Sequence, residues 1–99
     1  MLTEGTNRRV GTGRARWPSH RPLIFRVQGG RRRHESIVME RSLHEMVLRL
    51  PAADRLPVGT HLRPIDQAMA ERHGFRSAIV RRIERGGEDM RLVHVEILS

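Results

Sequence analysis

Residues 35–51 read ESIVMERSLHEMVLRLP, and two backbone conformations compete for them. As a helix, Met39, Leu43, Met46, Val47 and Leu50 fall on one face, Ser36 serves as N-cap, Pro51 ends the run, and Arg41–Glu45 or Glu45–Arg49 sit four apart on the outer side. As a strand, MVLRLP at 46–51 places Met46, Leu48 and Leu50 on one face by simple alternation. The helical pattern extends over about three turns, and it is the favoured reading.

The residues that follow this stretch supply most of the expected fold. PIDQAMAERHG, residues 64–74, predicts a second helix with Pro64 in its first turn, Ile65, Ala68 and Met69 facing inward, and Gly74 as the stop. FRSAIVRRIER and DMRLVHVEIL flank Gly86-Gly87 and predict an antiparallel hairpin. A hairpin is marginal alone, and PLIFRV at 22–27 is the candidate third strand. The expected class is therefore α+β: a small antiparallel sheet, the C-terminal hairpin plus a third strand, packed by two helices, with a flexible basic N-terminal arm. Without that third strand, the open sheet edge would pair with a second copy and give a homodimer.

Charge divides the sequence in a second way. Nine arginines face a single acid, Glu4, up to His34, whereas residues 35–99 carry ten arginines and ten acids, so the net charge of +8 lies in the first third. All nineteen basic residues are arginine, which points to a GC-rich coding bias, but such a bias does not remove acids from one end. The expected organisation is a Gly/Pro-interrupted basic arm over 1–34, with a strand at 22–27, and a folded domain over 35–99. Met39 is an alternative start that would leave a 61-residue product. There is no cysteine, which excludes disulfides and thiolate chemistry. No apolar run approaches the ~20 residues of a membrane helix, and the first residues lack a signal-peptide core, so no membrane association and a cytoplasmic location are expected.

The arm concentrates the binding chemistry. In GRARWPSHRP, residues 13–22, the only tryptophan lies among arginines, suited to stacking on an unpaired base while its neighbours neutralise phosphates. RARWP resembles the Arg-Gly-Arg-Pro core of the AT-hook, with Ala15 in place of the glycine and Trp17 in place of the proline. RRRH at 31–34 adds three arginines after Gly29-Gly30, without the spaced glycines and the lysine–hydroxyl pair of a P-loop. The candidate nucleic-acid-binding residues are thus Arg14, Arg16, Trp17, Arg31, Arg32 and Arg33. On the hairpin, Arg82 either extends this basic surface or is cancelled by Glu88, Asp89 or Glu96.

Other chemistry finds little support. Six histidines fall in no metal-ligand spacing, no serine sits in a nucleophile elbow, and Glu88-Asp89 occupies a predicted solvated turn. No metal, cofactor or catalytic residue is expected. The segment RPIDQAMAERHGFRSAIV is similar to the single-stranded nucleic-acid-binding domain named after its Arg-x-x-x-His pair; Arg63 matches the arginine and Gln67 stands at the histidine. LRLPAADRLPVGTHLRPID is similar to part of the regulatory C-terminal domain of potassium-uptake proteins, whose final strand would be missing. The expected function is a non-enzymatic accessory protein that binds DNA or RNA phosphates through its arm. The alternative is a protein-interaction or regulatory module with an incidental arm.

Overall fold

Alternation, and not the helical stripe, governs residues 35–51. In the computed structural model, which describes residues 16–99, they form β2 (Arg33–Arg41) and β3 (Glu45–Pro51), joined by a tight turn. The Ser42 hydroxyl accepts from the backbone N–H of His44 and Glu45 at 3.3 and 3.1 Å, and the Ser42 N–H donates to the Glu45 carbonyl at 2.8 Å. This side-chain turn reverses the backbone without glycine or proline. Leu43, assigned to the inner face of a helix, stands 64% exposed at its tip.

These two strands belong to a closed antiparallel barrel, which corrects the α+β expectation. The remaining elements are β1 (Trp17–Val27), β4 (His61–Pro64), α1 (Gln67–His73), β5 (Ala78–Arg85) and β6 (Met90–Ile97), and the strands close in the order β1-β2-β3-β6-β5-β4. Among the described residues there is one seven-residue helix where two were expected. Asp66 is its N-cap, accepting from the Met69 N–H at 2.9 Å. Pro64 lies outside the helix, buried at the end of β4, where its missing N–H costs no ladder bond. Gly74 at φ 70° provides the left-handed C-cap.

Inward positions repeat every second residue. Leu23 and Phe25 of β1, Val38 of β2, Met46, Leu48 and Leu50 of β3, Val80 of β5 and Val93 and Val95 of β6 fill the barrel, joined by Leu56, Leu62, Phe75 and Ala78. Buried His34 stacks on Phe25, ring centroids 5.2 Å apart, and its Nδ1 lies 3.3 Å from Asp54 of the β3–β4 loop.

Two consequences follow for domain organisation and partners. The segment 22–27 is the second half of a barrel strand, and β2 runs through position 34, so the covalent boundary between basic and neutral segments crosses a continuous sheet. A product starting at Met39 would lack β1 and most of β2. Closure also gives every described strand two neighbours, and where β1 extends past β4 its Pro22 and Ile24 carbonyls are taken by His73 and Ile65. The β4–β5 ladder is short, pairing only His61 with Ile79 and Leu62 with Ala78, so beyond Val80 that side of β5 has no strand partner among the described residues. No helix of the described residues is long and apolar enough to cross a membrane.

Candidate nucleotide-binding mouth

One end of the barrel remains open because β1 and β2 depart from regular pairing there. Pro18 faces Glu40 and Arg21 faces Val38, leaving Ser19 and His20 of β1 opposite Met39 of β2. A second irregularity between Val38 and Glu40 appears in the β2–β3 ladder. His20 adopts a left-handed conformation, φ 66°, as the strand accommodates the extra residues. The bulges carry the inward series past the apolar core into charged residues: Phe25 and Leu23 are followed by Arg21, and Val38 is followed by Arg41, which pairs with inward Met46 and with Trp17.

The result is a cleft of about 420 Å³ lined by Trp17, Pro18 and Ser19, by Arg21 and Arg41, by the turn residues Ser42 and Leu43, and by Arg72 and His73 from the end of α1. Three arginines and a histidine converge, and no carboxylate is among the described residues that line the space. Arg41 is half-buried, and desolvation pulls its guanidinium below the ordinary arginine range while leaving it charged. Its described partners are neutral: the Ser42 carbonyl at 3.2 Å, the His73 carbonyl and, at 3.9 Å, the Met46 sulfur.

His73 reports the same field. Burial, followed by Arg41, Arg21 and Arg72, pushes its pKa below the usual histidine value, against a 2.8 Å hydrogen bond to the Pro22 carbonyl that favours the charged form. In the neutral ring Nε2 carries the proton and donates to that carbonyl. Trp17, 46% exposed, forms the aromatic rim.

The candidates from the sequence separate into different roles. Arg14 lies outside the described residues. Arg16 is held on the outer face by Glu45 at 2.7 Å and Glu40 at 3.3 Å, with the Glu45 hydrogen bond the main cause of its raised pKa. Trp17 reaches the mouth, whereas Arg31, Arg32 and Arg33 lie at the far end of β1 and β2. Ten residue steps separate Trp17 from Val27 along β1, or about 33 Å at ~3.3 Å per step. Arg32 clamps Asp54 at 2.8 Å, Arg33 opens β2 opposite Arg26, and Arg31 is an exposed residue of the β1–β2 connection. The five described candidates therefore do not lie together.

Arg21, Arg41, Arg72 and His73 carry no signal in the sequence that marks them as a group. A helix over 35–50 puts Arg41 on the solvent side, and only strand pairing with a bulge turns it inward. On the hairpin, Arg81 binds Glu96 at 2.7 Å and Arg82 binds Glu84 at 3.1 Å, so these charges are locally compensated. Comparison with protein families, characterised proteins and solved structures finds no match to this protein.

Proposed function

We propose that the protein is a non-enzymatic binding domain that takes a nucleotide, free or within a single strand of DNA or RNA, in the mouth of its barrel. Arg21, Arg41 and Arg72 receive the phosphate, and Trp17 stacks on the base. The observation that carries this reading is the half-buried charge of Arg41, which shares the cleft with Arg21 and Arg72 and has no carboxylate among the described lining residues. Leaving such a charge uncompensated is costly to the fold. A bound phosphate would compensate it. Arg8, Arg9 and Arg14 precede Trp17 in the sequence, and on a longer strand these residues would add phosphate contacts.

Trp17 is the sole tryptophan and so reports on its own site. Nucleoside mono- and dinucleotides, short oligothymidylate and oligouridylate, and a duplex are titrated while tryptophan emission is followed at several salt concentrations. Quenching by nucleotides that is lost in Arg41→Met supports the reading. A free nucleotide is distinguished from a strand by whether removal of residues 1–15 flattens the salt dependence, by about two in log–log slope for three arginines on a single strand. Absence of quenching by every ligand, or undiminished binding by Arg41→Met, refutes it.

A further inference from the structure

A second concentration of charge lies on the outside of the barrel and does not involve the mouth. In the strand pairing, Arg26 of β1 stands directly opposite Arg33 of β2 on one side and Arg63 of β4 on the other. All three are exposed, so three guanidinium groups stand abreast on adjacent strands. At ~4.8 Å between strands the row is about 10 Å wide. Arg33 has only Glu35, on its own strand, at 3.6 Å, and among the described residues neither Arg26 nor Arg63 makes an ion pair. Like charges placed directly opposite destabilise a sheet. Nothing in the fold requires them there.

The same outer face continues along β1 and β2 into apolar residues. Ile24 lies opposite Glu35, and Pro22 opposite Ile37, which is 36% exposed and pairs on its other side with Arg49. Four residues along β1 separate Arg26 from Pro22, or about 13 Å. The face therefore presents cations at one end and an aliphatic step at the other. Phosphates would meet the first but find no use for the second, and this face offers no aromatic side chain for a base: Phe25 and Phe75 are buried, and Trp17 stands at the mouth.

We infer that the outer face of β4, β1 and β2 docks an acidic peptide segment of a protein partner, with carboxylates on the Arg63–Arg26–Arg33 row and an aliphatic side chain against Pro22 and Ile37. Arginines beside apolar surface are the composition of protein interfaces. Carboxylates bind the arginine fork bidentately, and a segment presenting several at once relieves the repulsion within the row.

The test uses the full-length protein and fluorescence anisotropy with three labelled probes: a short peptide of Glu-Glu-Leu repeats, oligo-glutamate of the same length, and oligothymidylate of matched charge. The Glu-Glu-Leu peptide is expected to bind more tightly than oligo-glutamate. Arg26→Glu with Arg63→Glu should weaken it about tenfold or more, and the milder Arg26→Gln with Arg63→Gln should weaken it in the same direction. Ile37→Ser should reduce binding of the Glu-Glu-Leu peptide and leave oligo-glutamate unchanged. Equal affinity of the charge-reversed and parent proteins, or equal affinity for the two peptides, overturns the inference. So does tighter binding of oligothymidylate that the charge reversal abolishes, which would make this face a nucleic-acid surface. Trp17→Ala and Arg41→Met should leave peptide binding intact, so failure of this inference and failure of the nucleotide reading are separately visible.

Discussion

Replacing Arg26 by glutamate should make the protein more stable, although it removes a residue paired on both sides near the end of a barrel strand. Arg26 opposes Arg33 and Arg63, and no described carboxylate is paired with it. A like-charged pair directly opposite costs roughly 0.2–1 kcal/mol, and an opposite pair returns a similar amount. Because all three side chains are exposed, the low end applies. Two pairs each changing by about 0.5 kcal/mol give a gain of about 1 kcal/mol, or a Tm increase of about 4–8 °C for a domain of this size. Arg26→Gln should give about half. Thermal melts followed by circular dichroism, at about 20 mM and about 1 M salt, test both magnitude and origin, since the screening length shortens to about 3 Å at the higher value. A Tm that does not rise at low salt, or a rise that persists undiminished at high salt, refutes the electrostatic reasoning.

The mouth supplies an opposite pairing of stability and binding: Arg41→Met should melt within about 1 kcal/mol of the parent or above it, while tryptophan quenching by nucleotides disappears in the same titration. His73 has a folded pKa below its unfolded value, so the unfolded state takes up the proton first, and the stability His73 contributes is present above about pH 6.5 and declines as the pH falls below it. Urea unfolding across that range should show the decline, and His73→Gln should remove it. An anion in the mouth offsets the arginines that depress this group, so nucleotide binding should be accompanied by proton uptake near pH 6, measurable by calorimetry in buffers of different ionisation enthalpy. Phe25→Ala should cost about 3–5 kcal/mol in urea unfolding, because its ring fills the barrel and stacks on His34.

How much of this is legible in the sequence depends on the range of the determining interaction. Gly74 and the glycine pair at 86–87 act locally, and the helix end and the β5–β6 hairpin can be read from them. Residues 35–51 mislead because their decisive feature is a turn formed by Ser42 and closed by side-chain acceptance, with none of the usual turn residues, while the apolar spacing across two strands coincides with a helical face. The short β4 is hidden by Pro64, which reads as a helix start and instead ends an edge of the ladder. Trp17 is conspicuous because it is unusual by type. Arg21, Arg41 and Arg72 are three among nineteen arginines, and only the bulged pairing of β1 with β2 and the docking of α1 distinguish them. The Arg63–Arg26–Arg33 row is likewise a property of register, and register is fixed by contacts distant in sequence.

The bulge at Ser19 and His20 separates the evolutionary fates of two parts of one strand. From Leu23 onward, β1 is bound by volume: Leu23 and Phe25 are fully buried, and a change in either is felt throughout the core. Before the bulge the backbone has already left that register, and the rim residues can be exchanged, or the loop lengthened by a residue, without sliding a buried side chain to the wrong face. The rim residues and the barrel wall are therefore constrained separately, so substitutions at Trp17 or Pro18 leave the packing of Leu23 and Phe25 unchanged.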